Sequence, residues 1–140
     1  EKPRKEDYVG AVIFRHEGEK IFWVMVRDIF NYWTFVKGHR EEGENPEDAV
    51  MREVKEEVGL GGKILIQLGQ NTYPATTEHG ENVLRHVTYF LLETAEEKIT
   101  LEEGKGLVDA KWYPMEEVKK TKHYEDTNHV IDAAINKIAH

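Results

Sequence analysis

No cysteine occurs among the 140 residues. Disulfides and thiolate metal sites are therefore excluded, and a reducing compartment is compatible. No apolar run approaches the ~18 residues that a membrane-spanning helix requires. The first segment, Glu1-Lys2-Pro3-Arg4-Lys5, has no apolar stretch behind it and does not read as a secretory signal. It lacks an initiator Met, so trimming is expected, and a cytoplasmic location follows as the expectation. Cations are also short: 19 Lys and Arg stand against 27 Asp and Glu, a net charge of −8. That argues against non-specific nucleic-acid binding, which needs a basic face. An acidic chain that handles phosphate must bring cations to the site locally, as side chains or as metal ions.

What is present fits one domain over residues 1–140. Hydrophobic residues make up 39% and charged residues 33%, enough for a core under a charged surface. There is no repeat, and nothing in the composition signals an oligomeric state. Tyr8 to Phe14 and Ile21 to Val26 read as strands around a turn at His16 to Lys20, a hairpin whose second strand is apolar enough to be buried on both faces. Trp33 to Val36 reads as a short strand and Lys37 to Glu44 as a loop. A helix follows with defined ends: Asn45 as N-cap, Pro46 at the first turn, Gly59 as a left-handed stop. Lys63 to Gln70, Val83 to Glu93 and Ala110 to Tyr113 read as strands, with a turn-rich stretch at Thr72 to Asn82 and a charged loop at Thr94 to Gly106. Met115 to Lys120 starts a short helix, and Thr127 to Ala139 is an amphipathic one. Strands and helices mix without βαβ spacing, so the expected class is α+β.

The chemistry concentrates at residues 38 to 60. On a helical wheel Glu53, Glu56 and Glu57 share one arc of roughly 100°, with Val50, Val54 and Val58 beside it as an apolar stripe. One helix thus anchors itself in the core and presents three carboxylates. Pairs of carboxylates 4–6 Å apart repel by ~1 kcal/mol in water and more in a drier site. Arg52 can offset part of this from one turn away. A divalent cation offsets far more, and hard oxygen donors suit Mg²⁺, with Mn²⁺ possible. A charged helix alone is usually a solvated face; the glycines and glutamate of the preceding loop raise the signal above that.

Gly38, Glu44, Arg52, Glu53, Val54, Glu56, Glu57, Gly59 and Leu60 stand at the spacings of the Nudix box, with no departure. At ~6–7% per residue type, seven fixed positions coincide by chance about once in 10⁸ registers. The segment resembles that family. The resemblance implies an α/β/α sandwich around a mixed sheet, with the catalytic loop and helix at 38–60. It implies metal binding by Glu53, Glu56, Glu57 and the Gly38 carbonyl, a catalytic set of Glu53, Glu56 and Arg52, and bracing of the loop by Glu44 and Arg52. The implied reaction is hydrolysis of a pyrophosphate bond in a nucleoside diphosphate linked to another moiety.

Trp33-Thr34-Phe35-Val36-Lys37-Gly38-His39 is similar to the lead-in of diadenosine-tetraphosphate and diphosphoinositol-polyphosphate hydrolases, except that Val36 stands where those often have Pro. By that similarity Lys37 reaches a substrate phosphate, and His39 contacts substrate or orients the loop. Tyr73, Tyr89, Phe90 and Tyr124 are candidates for stacking on a base, against the commoner role of strand aromatics as core. Arg85 and His86 could touch phosphate, on a pattern too general to single them out. A functional glutamate of those hydrolases would align with Gly106; Glu102 or Glu103 is the alternative in what reads as a solvated acidic loop. The expected substrate is a small nucleotide, dinucleoside polyphosphates ahead of (deoxy)nucleoside triphosphates, with a nucleotide-sensing module as the non-enzymatic alternative.

Overall fold

The computed structural model describes residues 2–140. Seven strands form one mixed sheet between two helices. Its spine is β1 (Arg4–Glu17), which pairs in parallel with β6 (Asn82–Glu93) along most of its length. On its other edge β1 serves two partners. Its C-terminal end forms the expected hairpin with β2 (Lys20–Asp28), while Tyr8 to Ala11 pair antiparallel with β4 (Val36–His39). The short β3 (Trp33–Thr34) and β7 (Leu107–Pro114) flank β2, and β5 (Lys63–Thr76) closes the far edge beside β6.

Alternation on the strands sorts the core into two layers. Val9, Ala11 and Ile13 of β1 join Val24, Val26, Phe90 and Leu92 under Val50, Val54 and Val58 of α1 (Pro46–Val58). Val12, Phe14, Trp23, Met25, Val87 and Leu91 meet Val130, Ile131 and Ala134 of α2 (Asn128–Ala139) on the opposite face. Trp23 to Val26 are buried throughout, as a strand covered on both faces requires. The α/β/α sandwich is as expected.

Several boundaries differ from the sequence reading. The strand at Trp33 to Val36 splits at Phe35 into β3 and β4, and β4 takes in Lys37, Gly38 and His39, which had read as loop. β1 is long enough to offer those residues a second ladder. The turn-rich segment shrinks, because β5 runs on to Thr76. As an edge strand it accommodates Pro74 and two irregularities, between Ile64 and Ile66 and between Gln67 and Gly69. The helix at Met115–Lys120 is a 3₁₀ turn. Among the described residues no helix is long and apolar enough to cross a membrane.

α1 begins as its sequence dictates. The Asn45 side chain accepts a hydrogen bond from the Asp48 N–H at 2.8 Å, Pro46 opens the first turn, and Gly59 ends the helix with φ 72°. Asn45→Ala should therefore lower stability by about 1 kcal/mol, read as a shift of the urea midpoint at constant m-value; no shift would remove the cap from the account.

Candidate active site

β4 and α1 set the site between them. Val9 pairs with Gly38, and Gly38 lies against the Glu53 carboxylate of α1. A methyl group added at Gly38 would sit 2.1 Å from the Glu53 carboxylate. The bare backbone at 38 is thus a condition for Glu53 to stand where it does.

Arg52 organises what surrounds it. Its Nε donates to Glu44 at 2.7 Å and its Nη2 to the other Glu44 oxygen at 2.9 Å, a bidentate pair joining loop to helix. Its Nη1 donates to Glu53 at 2.8 Å and to Glu56 at 3.2 Å, and its Nη2 to the His39 carbonyl at 3.1 Å. Glu44 also accepts from the Glu41 N–H. The Arg52 hydrogen bonds, then that backbone N–H, hold the Glu44 carboxyl down at about 2. Arg52 is itself held well above its ordinary range, chiefly by Glu44.

Glu57 is different. It is 7% exposed, and its Oε2 is buried with no hydrogen-bond partner among the described residues. Burial first, then the adjacent Glu53 carboxylate, push its carboxyl up to about 9. An unsatisfied buried oxygen beside a second carboxylate is the donor chemistry a divalent cation satisfies. Glu53, Glu57 and the Gly38 backbone therefore fit a hard metal ion. Glu56 lies on the outer side, half exposed and held by Arg52. Among the described residues no three such groups already converge as a metal cluster; Arg52 draws Glu53 and Glu56 to itself.

The loop after β6 is largely exposed, as its charge led us to expect, but two of its backbone groups are tied to α1. The Thr100 N–H donates to the Val58 carbonyl and the Glu102 N–H to the Glu57 carbonyl, at 2.9 and 2.8 Å. These bonds take up carbonyls that the end of α1 leaves without helical partners. They set Glu102, half-buried, close enough for its charge to bear on Glu57. Gly106, where a glutamate was expected, has φ 77° and lines the neighbouring cavity.

That cavity, about 400 Å³, opens beside Glu57. Lys37, Arg85 and Lys105 line it. Lys37 Nζ donates to the Tyr73 hydroxyl at 2.8 Å, and Arg85 lies 4.9 Å over the Tyr8 ring while pairing with Glu6. Tyr73 and Arg85 are cross-strand partners, a neighbourhood that no local pattern reveals. Tyr89 also lines the cavity, but it is 1% exposed, with its ring laid against Gly10 where any Cβ would clash. Phe90 is likewise core. His39 lies edge-on to Tyr8 but does not line the cavity; its carbonyl serves Arg52.

Oxygen-only donors beside a cationic cavity suit a phosphoanhydride held partly through a divalent ion, the arrangement of metal-dependent pyrophosphohydrolases. Similarity to known proteins narrows that class. The NUDIX domain model matches residues 4–134, and the chain belongs to the Nudix hydrolase family. An RNA pyrophosphohydrolase of Hydrogenovibrio crunogenus is 34% identical over 133 residues, covering 81% of this chain and 79% of that protein. A protein of Mycobacterium tuberculosis described as a mutator protein, MutT4, is 30% identical over 102 residues; the match spans 73% of this chain but only 40% of that relative. In fold, the chain is similar to a C. elegans Ap4A hydrolase in a binary complex, at a TM-score of 0.77 and 22% identity over 96% of this chain and 98% of that one. Members of the family generally use divalent metal ions.

Gly38→Ala should keep the fold and melting temperature while losing most metal-dependent turnover, since the displaced group is a flexible carboxylate end. Full turnover in that variant would detach Glu53 from the site. For Glu57 the sign is set by a carboxyl raised from 4.5 to about 9. The metal-free fold binds a proton there that the unfolded chain has released, so stability falls as pH rises between those values. Glu57→Gln should flatten that fall in thermal melts without metal, and added Mg²⁺ should stabilise wild type more at pH 8 than at pH 6. Parallel wild-type and variant profiles would contradict the assignment.

Proposed function

We propose that the chain hydrolyses a pyrophosphate bond in a nucleoside polyphosphate with Mg²⁺ as cofactor, with dinucleoside polyphosphates such as diadenosine tetraphosphate as the preferred substrates. The observation that carries this reading is the placement of Lys37, Arg85 and Lys105 in one cavity opening beside Glu57, in a chain with net charge −8. Three cations concentrated there favour a ligand with several adjacent negative charges. The Trp33 to His39 lead-in and the fold shared with an Ap4A hydrolase support the dinucleotide preference.

In this reading Glu53, Glu56, Glu57 and the Gly38 carbonyl hold the metal. The bound ion would neutralise phosphate oxygens and acidify a water. Lys37 binds a phosphate, with Tyr73 fixing its ammonium in place. Arg52 and Glu44 keep the box glutamates in register. Water attacks one phosphorus, the bond to the leaving phosphate oxygen breaks, and a carboxylate takes the water's proton. The candidate acceptors are Glu53, Glu56 and, on the later loop, Glu102.

A second reading is removal of pyrophosphate from an RNA 5′ end, favoured by the 34% identical relative and opposed by the net charge. A panel of dinucleoside polyphosphates, nucleoside triphosphates and 5′-triphosphorylated RNA, with and without Mg²⁺ and with products identified, separates the two. The dinucleotide is expected to be cleaved with the highest kcat/KM; preferential cleavage of RNA would install the second reading, and no cleavage with any divalent metal would sink both. Lys37→Ala should lower kcat/KM on the preferred substrate by roughly tenfold or more. An unaffected variant would return Lys37 to a purely structural role.

A further inference from the structure

A nearly buried carboxylate stands behind the cationic wall of the cavity without lining it. Glu6 of β1 is 9% exposed and lies outside the cavity surface. In the parallel ladder it is directly opposite Arg85, and Arg85 is in turn opposite Tyr73. Glu6, Arg85 and Tyr73 therefore form one row across a single face of the sheet. Glu6 Oε1 accepts from Arg85 Nε at 3.1 Å, and its Oε2 accepts from Arg4 Nη2 at 3.5 Å. Tyr8, on the same face of β1, lies 4.9 Å from the Arg85 guanidinium.

A carboxylate in this place is costly on two counts. Burial penalises its charge, and that charge opposes an anion held by Lys37, Arg85 and Lys105 next door. Its geometry with Arg85 accounts for its presence. The bond at Nε and the Tyr8 ring restrain the guanidinium from two directions. Both Nη groups are left without a hydrogen bond among the described residues, on a side chain that lines the cavity. Arg4 shares Glu6 and also pairs with Glu81, so the anchor's charge is offset from the side away from the cavity.

We propose that Glu6 is a positioning residue, which holds Arg85 with its Nη groups ready to grip a substrate phosphate beside the one that Lys37 binds. The proposal rests on the polyphosphate reading of the cavity. A guanidinium already fixed in place loses little freedom when the phosphate arrives, and its planar fork suits two phosphate oxygens at once.

Orientation and plain electrostatics predict opposite signs. If Glu6 acted through its charge alone, removing it would tighten anion binding. If it orients Arg85, Glu6→Ala should instead weaken binding roughly fivefold, the cost of ordering one long side chain. The probe is methylenediphosphonate, whose P–C–P bridge is not hydrolysed, titrated calorimetrically into the Mg²⁺-loaded protein. In an Arg85→Ala background, Glu6→Ala should change nothing further. Glu6→Gln keeps an oxygen for Nε and drops the charge, so it should bind at least as tightly as wild type; it decides the matter if the alanine variant does not fold. Unchanged or tighter binding by Glu6→Ala, a further loss in the Arg85→Ala background, or weaker binding by Glu6→Gln overturns the positioning role and leaves the polyphosphate reading standing. Wild type that fails to bind the probe takes down that reading, and the positioning role with it.

Discussion

Everything at the site hangs on the Arg52 guanidinium. Its planar fork meets Glu44 with two parallel bonds and still reaches Glu53, Glu56 and the His39 carbonyl. A lysine, a single point charge, could not hold the loop and two helix carboxylates in one geometry. Without that fork, the loop after β4 would have no fixed relation to α1, and like charges one turn apart would push each other off the helix face. Neutralisation, loop closure and carboxylate alignment are one interaction here.

The second constraint is that the apolar stripe of α1 and its inner carboxylates are immediate neighbours. Val50, Val54 and Val58 are buried against the sheet while Glu53 and Glu57 occupy the arc beside them. The position of Glu57 follows from that proximity. A residue next to the apolar stripe is desolvated by the packing that stabilises the helix, so the core itself creates a carboxyl that resists ionisation in the absence of a cation. Stability and site chemistry are therefore coupled through a few neighbouring side chains.

Local features were legible in the sequence, and non-local ones were not. Asn45, Pro46 and Gly59 bound α1 because caps act within one turn, and the spacing of Glu53, Glu56 and Glu57 places them together through helix geometry alone. The two-layer core follows from strand alternation. By contrast, Tyr89 looked available until its parallel partner proved to be Gly10, which leaves room for the ring in the interior. Arg85 was too general a signal until β5 brought Tyr73 opposite it. The strap from Thr100 to Glu102 is held by backbone groups, whose hydrogen bonds carry no side-chain signature. Thr72 to Asn82 read as turn-rich, yet β5 extends through Pro74, because an edge strand has an open side that tolerates proline.

The parallel pairing of β1 with β6 has a consequence for how the molecule comes into being. Arg4 to Phe14 register against Val83 to Glu93, so the central ladder joins segments separated by nearly eighty residues. On a ribosome, the first strand must wait through the synthesis of the loop, α1 and β5 before its principal neighbour emerges. Closing so long an intervening chain is entropically slow compared with hairpin formation. The β1–β2 hairpin and α1 are the units able to form early, whereas the cap on the end of α1 arrives only with residues 100 to 102. The carboxylates are thus carried on one of the first elements to emerge and enclosed by one of the later ones.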